Sequence, residues 1–159
     1  MNLTSEVGRG STFEFSLPAD FSATSTLGKV PQQVLPRGNG ELVLVIDDEA
    51  SIRQVIRQTL ETFGYRVVTA EGGAEALAIY VRRDAEIAAV ITDMMMPSMG
   101  GVATTEALLR VNGKVKIIVV TGFVTDAQKA AAMAAGASEF LAKPFTIEKL
   151  LATLSTVLR

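Results

Sequence analysis

The chain contains no cysteine and no histidine among its 159 residues. Without cysteine there are no disulfides and no thiolate chemistry, and without histidine the usual metal ligand and the usual general base are both missing. Any metal bound here must be hard and oxygen-ligated. Charge of one sign is lacking too. The 15 basic residues nearly balance the 17 acidic ones, and they are scattered rather than grouped, so there is no general cationic field for nucleic acid. No apolar run reaches the roughly 18 residues that would span a bilayer, so membrane insertion is not expected. No cationic segment followed by an apolar stretch opens the chain, which makes the cytoplasm the expected compartment.

With 48% hydrophobic and 20% charged residues, the composition is that of a globular chain. The length suits one domain of about 100–150 residues plus an appendage. Residues 1–18 end in Gly-Arg-Gly-Ser-Thr-Phe-Glu-Phe-Ser-Leu-Pro, where Phe13, Phe15 and Leu17 alternate with polar residues as in a half-buried strand. One strand cannot be a domain. Residues 19–40 turn to Ser, Thr, Gly, Pro and Gln, with Pro31, Pro36 and the cluster Arg37-Gly38-Asn39-Gly40. So little apolar surface does not offset the entropy of ordering, and the segment reads as a linker.

From Glu41 onward, short apolar runs alternate with amphipathic stretches, the pattern of βαβ units on a parallel sheet. Leu42-Val43-Leu44-Val45-Ile46 is continuously apolar, as a central strand covered on both faces should be. Further strands are expected at Tyr65–Ala70, Ala88–Thr92, Lys116–Thr121 and Glu139–Leu141. Helices are expected at Ala50–Thr62, Gly73–Arg82, Val102–Arg110, Asp126–Ala135 and Thr146–Leu158. In the first of these Ile52, Val55, Ile56, Leu60 and Phe63 fall near a 3.6-residue period, and in the last Ile147, Leu150, Leu151, Leu154, Val157 and Leu158 share a face behind the N-cap Thr146. Residues 41–159 thus make a doubly wound (βα)5 domain with a five-stranded parallel sheet.

In such a sheet the functional crevice lies beyond the carboxyl ends of the strands. Those ends are unusually polar. The first strand is followed by Asp47-Asp48-Glu49, the third by Asp93, the fourth closes on Thr121, and the fifth leads into Lys143-Pro144. Parallel strands bring these groups to one edge. Like charges so close raise the cost of ionisation unless a cation shares the site, and oxygen ligands alone favour Mg²⁺ or Mn²⁺. A carboxylate beside such an ion and a lysine is placed to attack a phosphoryl group. Asp93 is the candidate nucleophile, Asp48 the metal ligand, and Asp47 supports the ion or positions a water on it. Thr121 and Lys143 would each pair with a phosphoryl oxygen.

The set of Asp47-Asp48, Asp93 within Asp-Met-Met-Met-Pro, Gly101, Thr121-Gly122 and Phe140-Leu141-Ala142-Lys143-Pro144-Phe145 resembles the response-regulator receiver family over residues 41–159. The resemblance implies a flavodoxin-like strand order 2-1-3-4-5 and phosphorylation of Asp93 by a histidine kinase or a histidine phosphotransfer domain. It also implies Mg²⁺ ligation by Asp48, Asp93 and the carbonyl of Met95, and a cis peptide before Pro144. A switch pair, Thr121 and Phe140, would report phosphorylation to the face of the fourth helix, fifth strand and fifth helix. Such a domain is not an independent enzyme, although it can catalyse its own phosphoryl transfer and dephosphorylation. Met95 and Phe123, bulky and apolar where the family often has smaller or polar groups, are expected to hinder an attacking water and prolong the phosphoryl state.

The opening Gly8-Arg9-Gly10-Ser11-Thr12-Phe13 resembles the end of a histidine kinase ATP-binding domain. Residues 1–18 would then be a remnant of that domain, joined by the linker to the C-terminal receiver of a hybrid histidine kinase. Two other readings stand beside the receiver. A haloacid-dehalogenase-like phosphatase also uses an Asp nucleophile, but in an Asp-x-Asp pattern that Asp47-Asp48-Glu49 does not match. A docking module that is never phosphorylated would not need the whole polar set. The exposed side of the last helix could serve a homodimer or another partner.

Overall fold

The computed structural model describes residues 2–6, 8, 10–14, 35–122 and 125–159. The chain forms two compact units, Met1–Gln33 and Val34–Arg159.

In the first unit β1 (Asn2–Glu6) pairs antiparallel with β2 (Gly10–Glu14), Asn2 opposite Glu14 and Glu6 opposite Gly10. A hairpin therefore replaces the single strand expected through Phe13, and Phe15 and Leu17 lie outside the described residues. Asn-Leu-Thr-Ser-Glu carries one large apolar residue, too few to show a period of two. Its pairing comes from the turn, where Gly8 and Gly10 take φ of 84° and 96°, a region glycine enters without steric penalty.

The second unit holds five parallel strands: β3 (Leu42–Ile46), β4 (Arg66–Ala70), β5 (Ile87–Asp93), β6 (Ile117–Thr121) and β7 (Glu139–Ala142). They lie in the order β4-β3-β5-β6-β7, which is 2-1-3-4-5 counted from β3. Five helices alternate with them: α1 (Ala50–Thr62), α2 (Gly73–Arg83), α3 (Gly101–Val111), α4 (Asp126–Ala134) and α5 (Ile147–Leu158). On one face of the sheet Leu42, Leu44 and Ile46 pack with Ala76, Tyr80, Leu108 and Ala132 from α2, α3 and α4. On the other, Val43 and Val45 pack with Ile56, Leu60, Leu150, Leu151 and Leu154 from α1 and α5. Burial on both faces is why the strand sequences are apolar without alternation. No helix among the described residues is long and apolar enough to cross a membrane.

Several expectations need correction. Val55 and Ile147 are 62% and 47% exposed, so they sit at the edge of their helices' apolar stripes, not in the core. The second strand starts at Arg66 because the Tyr65 N–H still donates to the Leu60 carbonyl at the end of α1. The third strand runs on through Asp93, which pairs with Val120.

The end of the expected linker is also part of this unit. Leu35 packs into the α1–α5 cluster. The N–H groups of Gly38 and Gly40 donate to the carbonyls of Phe63 and Gly64, both at 2.9 Å, and the Arg37 guanidinium lies 5.5 Å from the centre of the Phe63 ring. A side chain at Gly38 would come within 2.5 Å of the Tyr65 ring. Here glycine serves close approach rather than flexibility. Residues 19–34 lie outside the described residues.

Among the described residues one buried side-chain oxygen lacks a hydrogen-bond partner. The Thr105 hydroxyl on α3 is fully buried and makes no hydrogen bond among the described residues. An unsatisfied buried hydroxyl costs about 1–3 kcal/mol, and valine has nearly the same shape. Thr105→Val is expected to stabilise the chain by about 1 kcal/mol, read as a higher urea midpoint at unchanged slope; a lower midpoint would mean that the hydroxyl is satisfied.

Candidate functional site

At the carboxyl end of the sheet, two neighbouring strands present carboxylates that a third segment bridges. Asp47 follows β3 directly, its N–H donating to the Ala70 carbonyl at 3.3 Å. Asp93 closes β5, after which the Met94 N–H still donates to the Val120 carbonyl at 2.7 Å. Their residues are 3% and 8% exposed. Lys143 leaves β7 with its N–H on the Thr121 carbonyl at 2.7 Å. Its ammonium donates to Asp47 Oδ2 at 2.9 Å and to Asp93 Oδ1 at 2.8 Å. The Lys143–Pro144 peptide is cis.

Each carboxylate has its second oxygen held by the backbone. Asp93 Oδ2 accepts from the Met95 N–H at 2.7 Å, and Asp47 Oδ1 accepts from the Glu49 N–H at 2.9 Å. The Asp47 carbonyl accepts from Arg53 Nη1 at 2.6 Å. All four carboxylate oxygens are thereby ordered, but two anions share one ammonium, and the surplus negative charge is nearly shut off from water. Burial draws the Lys143 pKa down, and its hydrogen bonds to Asp93 and Asp47 outweigh burial, so the net shift is upward and the ammonium stays charged.

Of the three carboxylates expected to crowd together, Asp47 and Asp93 do, while Asp48 is exposed. Among the described residues no three acidic side chains are grouped closely enough to hold a metal ion. The donors are still those a hard divalent cation takes, oxygen atoms only, with negative charge left uncompensated by Lys143. The residues fit such an ion.

Thr121 is fully buried at the end of β6, and Phe140, half-buried on β7, packs against the α2–α3–α4 cluster. Met95 is 64% exposed. Phe123, the other expected shield, lies outside the described residues. Gly101 opens α3 against the site: its N–H donates to the Met94 carbonyl at 2.9 Å, and a side chain there would strike the Asp93 carbonyl and come 2.8 Å from Met94 Cα. Only glycine lets this helix start so close to the Asp93 backbone.

Sequence reasoning missed Arg53. A signal was present, since a cation in the first turn of a helix opposes the macrodipole, and a residue that breaks a local preference tends to have a functional reason.

The response regulator receiver domain family matches residues 43–155. The chain is 31% identical over 161 residues to the sensor kinase CckA of Brucella abortus, an alignment covering 97% of this chain and 17% of that protein. It spans about half the length of other curated relatives it matches. Among solved structures, the chemotaxis protein CheY4 of Vibrio cholerae superposes with a TM-score of 0.69 at 37% identity, over 74% of this chain and 98% of that one. A response regulator of Burkholderia pseudomallei, crystallised with a phosphorylated aspartic acid, a calcium ion and citrate, gives 0.68 at 29% identity over 74% of this chain and 68% of that one. With the family match running from the first strand of the parallel sheet into its last helix, the chain belongs to the response regulator receiver domain family.

Proposed function

We propose that this receiver takes its phosphoryl group on Asp93 from a phosphohistidine of a kinase or phosphotransfer domain. The observation that carries the reading is the position of the Asp93 carboxylate, at the carboxyl end of the central strands and 2.8 Å from the Lys143 ammonium. An Asp93 oxygen attacks phosphorus in line, the P–N bond of the donor breaks, and its electron pair stays on the departing imidazole. Lys143 then pairs with a phosphoryl oxygen, exchanging one carboxylate contact for it. The Thr121 hydroxyl takes a second oxygen. A largely apolar groove of about 540 Å³ beside Lys143, lined by Ile52, Val55, Ile56 and Phe145, offers the donor protein an apolar contact next to the site.

Mg²⁺, when bound, neutralises charge on the phosphoryl oxygens. Asp48, Asp93 and the Met95 carbonyl would hold it, with Asp47 in support. The switch would run through Thr121 and Phe140. Phenylalanine has no hydroxyl to bond, so its movement is driven by burial of the ring alone. The 97% coverage in the alignment with a sensor kinase supports placing this receiver in a hybrid histidine kinase, residues 1–18 being the end of the ATP-binding domain.

The test is intact mass after incubation with acetyl phosphate. One phosphoryl group should be gained with Mg²⁺ and none after chelation with EDTA. An unchanged mass with Mg²⁺, both from acetyl phosphate and from a phosphorylated histidine phosphotransfer protein, would overturn the proposal.

A further inference from the structure

The turn from Asp47 to Glu49 carries three acids in succession just before α1. The positive end of a helix suits them. Yet the first turn of α1 contains no acid, and the N-cap Glu49 makes no side-chain cap. Its carboxylate accepts from the Ser51 hydroxyl at 2.6 Å instead. The charged residue that this turn does carry is Arg53, whose cation the helix dipole disfavours there. Arg57, one turn on, is committed to Glu61 at 2.8 Å.

Arg53 is half-buried, and its side chain reaches back to the acidic turn. Its N–H donates to the Glu49 carbonyl at 3.1 Å, and its Nη1 reaches back to the Asp47 carbonyl at 2.6 Å. That carbonyl belongs to the peptide unit joining Asp47 to Asp48. Holding it restrains the backbone torsions on either side of that peptide, where Asp47 meets Lys143 and Asp48 is exposed. A charge-assisted hydrogen bond to a carbonyl is about twice as strong as a neutral one, which accounts for an arginine where the dipole disfavours it.

We infer that Arg53 is a positioning residue for the divalent cation, holding the Asp47 carbonyl so that the backbone from which Asp47 and Asp48 project is ordered before the ion arrives. The inference rests on the receiver reading above. Its sign separates it from a plain charge effect. A guanidinium near the site repels a cation, so if charge were all that mattered, removing Arg53 would tighten the ion. If Arg53 positions the ligands, removing it loosens the ion, as loss of an outer-shell partner does.

The experiment is calorimetric titration of Mg²⁺ into the full chain and its variants, with thermal midpoints and phosphoryl uptake recorded beside it. Arg53→Met should weaken Mg²⁺ binding by about tenfold. Arg53→Lys, which keeps a charged donor, should recover most of that loss. Arg53→Gln keeps an N–H donor without the charge and serves if Arg53→Met fails to fold; it should bind more tightly than Arg53→Met, or, where that variant is unfolded, within a few-fold of native. Tighter or unchanged binding in Arg53→Met overturns the inference, as does a lowered thermal midpoint with native affinity. If the native chain gains its phosphoryl group and the variants bind Mg²⁺ as it does, only the role of Arg53 falls. If the native chain binds no Mg²⁺, the receiver chemistry and this inference fall together.

Discussion

Asp93→Asn abolishes the gain of a phosphoryl group while leaving the chain folded: this is the expected result with the largest effect on function. The amide has no anionic oxygen to attack phosphorus, so the loss should be complete rather than partial. Folding should survive for a reason visible in the site. Asparagine keeps the shape of the side chain and an oxygen that can accept from the Met95 N–H, now 2.7 Å from Asp93 Oδ2. Lys143 retains Asp47 at 2.9 Å, and one of two crowded anions is gone. Stability should stay within about 1 kcal/mol of native, measured by urea unfolding. A folded Asp93→Asn chain that still gains a phosphoryl group would move the acceptor to another carboxylate and overturn the assignment.

The largest expected effect on stability is that of Lys143→Ala. Its ammonium is the shared partner of two carboxylates whose side chains are 5% and 9% exposed. Removing one partner of a buried ion pair is far more damaging than the pair is stabilising, because the charge left behind keeps its desolvation penalty. Here two charges are left and they repel each other. A loss of about 3 kcal/mol in a metal-free buffer is expected. Millimolar Mg²⁺ should return part of it by replacing the missing positive charge, since a ligand that binds only the folded state stabilises it. Urea midpoints with EDTA and with Mg²⁺ check both claims. An unchanged midpoint in EDTA would mean that the three side chains do not form the compact group seen here.

Much of this was legible before the structure. The strand Leu42–Ile46 and the helices behind it follow from burial patterns that any segment of that composition must satisfy, since side-chain direction repeats every 2 or 3.6 residues whatever the rest of the chain does. The polar residues at the strand ends were visible against that background. β1 was not, because its pairing depends on a glycine turn and a partner strand rather than on its own pattern. The segment from Leu35 to Gly40 looked like a tether because glycine signals both freedom and tight packing, and only the nearby Phe63 and Tyr65 tell which applies.

The doubly wound sheet, and which polar residues stand at its carboxyl edge, follow from local periodicity and strand direction and could be read from the residues alone. How those groups meet depends on the folded chain. It set Lys143 between carboxylates 96 and 50 residues away, turned Asp47 inward and left Asp48 in solvent, and brought Arg53 onto the backbone between them. Hydrogen bonds of that kind depend on distances and angles of a few tenths of an ångström between segments remote in the chain, and no local pattern encodes them.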